Sequence, residues 1–333
     1  MDYGPSTNSK IMEKHSANLP QLDNTTFLTD GGLETTLIFH QGIDLPLFAA
    51  FDLLKNEAGK QVLKDYFVHY LDIARQYKAG FILETPTWRA NKDWGAKMGY
   101  SPADLDRVNS VAVDLLETLR QEYQTEDFRI VISGNLGPRG DGYQTGNKMN
   151  AKEAEAYHAP QIETFSTTSA DLVSAFTINY TEEAIGIIRA AKRCHMPVVI
   201  SFTLETDGNL PSGASLQEAI LEADQATDAY AAYYMINCAH PSHFQHILQD
   251  GGAWLKRIKG IRANASTRSH QELDESDHLD IGDKQELANG YLQLKSLLPN
   301  LNVIGGCCGT DHTHLEGICA LWFDEEKISR ELP

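Results

Sequence analysis

The 333-residue chain carries a formal net charge of −18, and 42% of its residues are hydrophobic. An acidic surface repels phosphates, so this charge argues against a nucleic acid partner. No run approaches the roughly 20 apolar residues that a membrane helix needs, so no membrane partner is expected. Five cysteines, scattered without a secreted spacing pattern, indicate reduced thiols and a cytoplasmic location. The composition therefore predicts a soluble protein and leaves its oligomeric state open.

The first 25 residues differ from the rest of the chain. The segment MDYGPSTNSKIMEKHSANLPQLDN is polar and lacks the apolar core of a signal peptide. We predict that residues 1–25 form a polar arm, either disordered or ordered late in folding. Length alone allows one large domain or two smaller ones. Because no linker rich in Pro, Gly or Ser divides the remainder, residues 26–333 are predicted to form a single catalytic domain.

Eight short apolar runs bounded by turn signals follow in chain order. They are TFLTDGG (26–32), GFILET (80–85), RIVISGN (129–135), DLVSAFT (171–177), PVVISFT (197–203), AYYMINC (232–238), KGIRANA (259–265) and LNVIGGC (301–307). Most carry Val, Ile and Phe on consecutive positions, which is typical of strands buried on both faces. Helical stripes fill the gaps, and Ser101 before Pro102 indicates a capped helix start. Eight such units predict a (β/α)8 TIM barrel, with a doubly wound open sheet as the alternative.

Residues capable of chemistry cluster where these predicted strands end. The ends of the first, second, sixth and eighth strands carry Asp30, Gly31, Gly32 and Glu34; Glu84, Thr85 and Thr87; Asn237 and Cys238; and Cys307 and Cys308. In a barrel these ends lie on one face, where active sites are built. Cys238 can therefore meet Cys307 and Cys308 in space. The alternative is that the adjacent cysteines are small core residues, since free cysteine is commonly buried.

Three convergent thiols suit Zn2+, the predicted cofactor, because three protein ligands leave one tetrahedral position open. Zinc deprotonates a bound thiol, and the thiolate is the nucleophile. The natural reaction partner is an electrophilic methyl group on a sulfonium or a quaternary ammonium. The expected substrates are therefore a small-molecule thiol acceptor and a cationic methyl donor.

Several motifs together resemble the homocysteine S-methyltransferase family, whose members are zinc enzymes on (β/α)8 barrels. TDGGLET, TPTWRA, GNLGPRGDGY, ISFTLETDGNLPSGASL, INC and GGCC stand where that family has its motifs, and the resemblance runs from about residue 27 to residue 320. It implies that Cys238, Cys307 and Cys308 are the zinc ligands. The candidate substrate-binding residues are Asp30, Gly31, Glu34, Thr85, Trp88, Asn237 and Asn264. Trp88 would either stack on a cationic donor or pack under the rim.

The chain departs from the family pattern at three strand ends. After the fourth strand, Phe176–Thr177 replaces a Glu–Thr pair whose glutamate helps to bind the amino group of homocysteine. At the seventh strand, ANAST keeps only Asn264 of Pro-Asn-Ser-Gly-Glu. At the second strand, Arg89 replaces Gln or Tyr and would repel a quaternary cation such as a betaine if it points into the pocket. The zinc chemistry is thus predicted to be retained, while the substrate contacts have changed.

The preferred function is transfer of a methyl group from a sulfonium donor to a thiol such as homocysteine, which gives methionine or a related thioether. One alternative is a barrel hydrolase or lyase that uses zinc-bound water. Another is a zinc- or redox-sensing barrel without catalysis. The sequence does not identify the donor. Histidines near the cysteines, at positions 240, 243, 246, 312 and 314, are interpreted as helix-surface or capping residues rather than metal ligands.

Overall fold

The computed structural model describes residues 19–331, in which eight parallel strands form a closed barrel in chain order. The strands are β1 (Phe27–Leu28), β2 (Gly80–Glu84), β3 (Ile130–Leu136), β4 (Leu172–Ile178), β5 (Val198–Thr203), β6 (Tyr233–Asn237), β7 (Ile258–Ala263) and β8 (Val303–Gly306). All eight predicted runs contain a strand, and β1 pairs with both β2 and β8. The predicted (β/α)8 barrel is therefore confirmed, and the open-sheet alternative is wrong.

Helices cover the outside of the barrel. Within the described residues they are α1 (Leu33–Thr35), α2 (Glu57–Gln76), α3 (Lys92–Lys97), α4 (Pro102–Tyr123), α5 (Ala151–Ser166), α6 (Thr181–Arg193), α7 (Leu216–Thr227), α8 (Pro241–Leu248), α9 (His270–Asp274), α10 (Lys284–Leu297) and α11 (His312–Glu331). A π-helical turn at Thr36–His40 and 3-10 turns at Pro20–Leu22, Pro46–Phe48, Ala50–Lys55 and Ala253–Arg257 complete the helical elements. None of these helices is both long and apolar enough to span a bilayer.

The helix ends follow local chemistry that can be read from the sequence. Ser101 caps α4, and its side chain and that of Asp104 each bond the other's backbone N–H. The carboxylate of Asp311 accepts the backbone N–H groups of Thr313 and His314 and so caps α11. The caps thus fix where the helices of the second and eighth βα units begin.

The core has two layers because each strand is buried on both faces. The outer layer joins the strands to the apolar stripes of the helices, as in α2, where Leu63, Phe67 and Leu71 are fully buried. The inner layer fills the barrel itself, and it includes Phe27 at one end and Phe176 towards the other. This packing closes the barrel interior below the strand ends and leaves only the carboxyl-end face open for a site.

The predicted N-terminal arm lies mostly outside the described residues, which begin at Leu19. Its last part differs from the prediction, because residues 19–25 pack against the barrel rather than extending from it. Leu19 and Gln21 are buried, and the side chain of Asn302 donates to the carbonyl oxygens of Gln21, Asp23 and Thr25. Backbone hydrogen bonds, which composition does not reveal, thus add these polar residues to the folded domain.

Candidate metal and substrate site

Three cysteines converge at the carboxyl ends of the strands. Cys238 follows β6, Cys307 and Cys308 follow β8, and their Sγ atoms lie within 4.8 Å of one another. This is the only potential metal-binding group of three or more His, Cys, Asp or Glu side chains among the described residues. The sulfurs of Cys238 and Cys307 are in direct contact and are close enough to form a disulfide, so metal binding requires this pair to be reduced.

The backbone around the cysteines explains the glycines beside them. A Cβ atom at Gly305 would collide with the side chain of Thr29, and one at Gly306 would collide with that of Thr310. Gly309 has a φ of 79°, a backbone conformation that residues with a side chain rarely adopt. Cys238 itself has a φ of 55°, an uncommon conformation for a residue with a side chain. This strained conformation directs the Cys238 thiol towards the thiols of Cys307 and Cys308.

Each of the three sulfurs has a polar neighbour. The Tyr143 hydroxyl lies 3.7 Å from Cys308 Sγ, and the Thr177 hydroxyl lies 3.9 Å from Cys238 Sγ. Asn237 Nδ2 lies 3.9 Å from Cys307 Sγ. N–H and O–H groups directed at sulfur stabilise thiolates, which are the form that binds zinc. The donor set and its surroundings therefore fit a zinc ion held by three cysteines.

A cavity of about 440 Å³ opens in front of the cysteines. Six of the seven predicted substrate residues line it, namely Asp30, Gly31, Glu34, Thr85, Trp88 and Asn237. Asn264 does not; its side chain donates to the carbonyl oxygen of Cys238 at 3.1 Å. Asn264 thus helps to hold the backbone at Cys238 in place. Since it does not line the cavity, it can affect substrate binding only through Cys238.

A buried ion pair lies at the floor of the cavity. Arg262 on β7 contacts Asp30 at 2.8 Å, and it also donates to the carbonyl oxygens of Gly31 and Gly306. Tyr66 donates to the other oxygen of Asp30 at 3.0 Å. Burial raises the pKa of Asp30, although Arg262 opposes this shift. The sequence interpretation missed Arg262, whose signal is a charged residue inside a buried apolar strand.

Two glutamates in the cavity resist ionisation. Burial raises the pKa of Glu34 to about 7 and that of Glu84 to about 8. Glu84 is the last residue of β2 and is only 5% exposed. Its Oε2 atom is buried and has no hydrogen-bond partner. The sequence places Glu84 at the end of the second strand without assigning it a role, and its signal is a carboxylate that ends an otherwise apolar strand.

An aromatic wall carries a second arginine. The Arg89 guanidinium lies over the rings of Trp88 and Trp94, at 4.5 and 3.6 Å from their centroids. Arg89 lines the cavity as the sequence suggested, and its Nε and Nη1 atoms have no hydrogen-bond partner. Trp88 lines the cavity, and its Nε1 donates to the carbonyl oxygen of Phe176 at 3.3 Å, while its stacking on a cationic donor stays a prediction.

The histidines near the cysteines have structural partners. His240 caps α8, His243 bonds the carbonyl oxygen of Thr267, and His314 bonds Asp311. His270 was not predicted, yet it lines the cavity and stacks on the Tyr143 ring with 4.0 Å between centroids. The loop GPRGDGY forms part of the rim, as predicted, and it contributes Asp141 and Tyr143 to the cavity.

Comparison with known proteins agrees with this geometry. Residues 27–321 match the family described as homocysteine S-methyltransferase. Two similar solved structures are the oxidized and metallated forms of the homocysteine methyltransferase MmuM from Escherichia coli. The oxidized form is 19% identical, with a TM-score of 0.71, and the match covers 90% of this chain and 96% of that one. For the metallated form, the identity is 20%, the TM-score 0.68, and the coverage 90% and 98%.

None of the curated protein sequences is significantly similar to the chain. The family match spans most of the chain, and the MmuM structures share its barrel fold. The resemblance carried by the sequence motifs is thereby confirmed. The chain belongs to the homocysteine S-methyltransferase family and is a methyltransferase.

Proposed function

We propose that this protein is a zinc-dependent S-methyltransferase that moves a methyl group from a sulfonium donor to a thiol such as homocysteine, giving methionine or a related thioether. The single observation that carries the proposal is the cluster of three cysteine sulfurs within 4.8 Å, which opens on the cavity. The family match supports methyl transfer. Reduced thiols in such a site are consistent with the proposed cytoplasmic location.

Cys238, Cys307 and Cys308 would hold the zinc, which would favour the thiolate form of a bound acceptor thiol. The chain's own groups keep the three ligands in place. Tyr143 and Asn237 contact the sulfurs of Cys308 and Cys307, and these contacts restrain the side chains that must share one ion.

The cavity walls suit a reaction in which opposite charges disappear. The acceptor sulfur forms a bond to the methyl carbon as the bond from that carbon to the donor sulfonium breaks. A thiolate and a sulfonium are thus converted into two neutral thioethers. Because charge is lost in the transition state, exclusion of water by Trp88 and Phe176 favours reaction, while Asp141 attracts the cationic donor to the rim.

Arg89 supports a sulfonium over a betaine-like donor. Its guanidinium lines the cavity and has no ion pair among the described residues, so its positive charge is not cancelled by a direct partner. A betaine holds its carboxylate one carbon from its quaternary nitrogen, so a carboxylate bound at Arg89 would keep the two cations close together. A longer sulfonium amino acid can place its carboxylate near Arg89 and keep its cationic centre near the thiolate.

The first test is metal content together with thiol titration. About one zinc per chain is expected, with three thiols protected until a chelator is added. Cys238→Ala, Cys307→Ala and Cys308→Ala should each lose most of the metal, whereas Cys194→Ala, outside the cavity, should retain it. Full zinc retention in all three site variants would refute the proposal. A loaded protein that transfers no methyl group from any sulfonium in a panel of thiols would refute its catalytic part.

The contact between the sulfurs of Cys238 and Cys307 supports a second candidate, a redox-sensing barrel. In that case zinc would fail to bind even after reconstitution under reducing conditions. The two thiols would instead cycle between free and disulfide forms without methyl transfer. Thiol titration before and after reduction distinguishes the two candidates.

A further inference from the structure

We infer that Glu84 binds the ammonium group of an amino-acid thiol acceptor and so replaces, from β2, the glutamate that β4 lacks. This inference rests on the proposed function, since it concerns the acceptor of that reaction. It assigns specificity for an amino group to a residue outside the family motifs found in the sequence.

The first support is the unused hydrogen-bonding capacity of Glu84. The residue lines the cavity, is 95% buried, and has an Oε2 atom without a partner. On β3 and β4, the hydroxyls of Ser133 and Ser174 bond each other at 2.7 Å, and both also interact with the Glu84 carboxyl and lower its pKa, while Oε2 remains without a partner. A buried polar atom without a partner costs free energy, so a ligand that donates a hydrogen bond to it is favoured.

The second support is the location of Glu84 relative to Phe176. Glu84 is paired in register with Ser133 on β3, and Ser133 reaches Ser174 on β4. Phe176 lies two residues beyond Ser174 and points into the barrel as well, since it belongs to the inner core layer. Glu84 and Phe176 therefore both point into the barrel and line the same cavity, so a carboxylate remains available in the cavity that lacks the β4 glutamate.

The third support is the balance of charge at the cavity floor. Asp30 and Glu84 are two acids, and Arg262 is the buried cation near them. Arg262 is committed to Asp30 and to two carbonyl oxygens, so Glu84 has no ion pair among the described residues. With Glu84 protonated in the free protein, Arg262 and Asp30 balance each other, and a ligand cation would be matched by ionisation of Glu84. A sulfonium centre has no hydrogen to donate, whereas an ammonium has three, so the vacant oxygen selects an amino group rather than the sulfonium centre of a donor.

The protonation state of Glu84 predicts that protons are released when an amino ligand binds. Burial raises the pKa of Glu84 to about 8; Arg262 lowers it, and Asp30 raises it. Tyr233 is the other titratable group that interacts with Glu84. At pH 7 the free carboxyl is therefore mostly protonated, and an arriving ammonium must displace that proton. Binding of an amino ligand should release close to one proton, roughly 0.9 at pH 7.

Binding of thioether probes tests the inference without using the metal. L-Methionine and its deamino analogue, 4-(methylthio)butanoate, are titrated into metal-free reduced protein while the fluorescence of the cavity-lining Trp88 is followed. The wild-type protein should prefer L-methionine by about tenfold to a hundredfold. Glu84→Gln should reduce this preference to nearly one. Glu183→Gln alters a carboxylate of matching burial outside the cavity and should retain the preference.

Calorimetry of the wild-type protein in two buffers with different ionisation enthalpies gives an independent readout. It should detect proton release with L-methionine and none with the deamino analogue. Because this measurement uses only the wild-type protein, it still tests the inference if the Glu84 variant fails to fold. Equal affinity for the two probes, no measurable binding of either, or an equal preference in the wild type and Glu84→Gln would overturn the inference.

Failure of the inference can be separated from failure of the proposed function. A zinc-loaded protein that methylates homocysteine and 4-mercaptobutanoate equally well retains the function and overturns the role of Glu84. A protein that prefers L-methionine and binds no zinc retains the role of Glu84 and overturns the proposed chemistry.

Discussion

Replacing Glu84 with glutamine should stabilise the fold at neutral pH. The ordinary pKa of a glutamate is 4.5, and burial raises that of Glu84 to about 8. Between these values the unfolded chain has released its proton while the folded chain retains it. Since the unfolded state binds fewer protons, the free energy of unfolding falls as pH rises, by about 1.4 kcal/mol per pH unit.

From pH 4.5 to pH 7 this slope accumulates to a cost of about 3 kcal/mol. Glutamine has nearly the same shape and does not ionise, so Glu84→Gln removes the cost. The gain should be about 3 kcal/mol at pH 7 and less than about 1 kcal/mol at pH 5, which lies only about half a pH unit above the pKa of the unfolded glutamate.

Denaturant unfolding of the metal-free, reduced wild type and Glu84→Gln, at pH 5, 6 and 7, measures this difference. Changes in the ionisation of the cysteines affect both proteins and cancel. The gap should widen with pH. A gap that stays constant from pH 5 to pH 7, or a variant that is less stable at pH 7, would show that the buried carboxyl is ionised and that its environment has been misread.

Three further changes test other parts of the structure. Tyr143→Phe removes the hydroxyl near Cys308 and should weaken zinc binding about fivefold in competition with a chelator; unchanged affinity would deny that contact a role. Adding Phe176→Glu to Glu84→Gln should restore the preference for an amino group, measured with the same thioether pair; no recovery would place the ammonium elsewhere. Asp311→Ala should cost about 1 kcal/mol in denaturant unfolding at pH 7. Although burial raises its pKa, hydrogen bonds hold the pKa of Asp311 well below its ordinary value, so the folded carboxylate stays ionised in mild acid and most of the loss should remain at pH 4; a loss that has already vanished at pH 4 would contradict the cap.

The sequence was sufficient for the barrel and for the cysteine cluster. Runs of Val, Ile and Phe identify strands buried on both faces, and a closed parallel barrel brings all strand ends to one side. The meeting of Cys238 with Cys307 and Cys308 follows from that geometry, even though β6 and β8 are not neighbours. The spacing of residues along the chain was enough because the fold fixes where each strand ends.

The charges at the cavity floor could not be predicted in the same way. Arg262 and Glu84 lie in strands that read as apolar, and their effect depends on which partners each one finds across the barrel. Arg262 is satisfied by Asp30 and two carbonyl groups, whereas Glu84 retains an oxygen without a partner. Asn264 was similarly identified by position, but only its contact with the Cys238 carbonyl shows what its side chain does.

Arg262 constrains how this site can evolve. β1 is two residues long and shares only two register pairs with β8, so few ladder hydrogen bonds close the barrel there. The Arg262 side chain joins the ends of these two strands, because it bonds the carbonyl oxygens of Gly306 in β8 and of Gly31 just after β1. Its guanidinium also lies 4.9 Å from the centroid of the Phe176 ring. A mutation that reshapes the cavity floor at Arg262 therefore loosens the barrel as well. Adaptation to a new acceptor is expected to begin at rim positions such as Arg89, where a change alters recognition and leaves the closure of the fold intact.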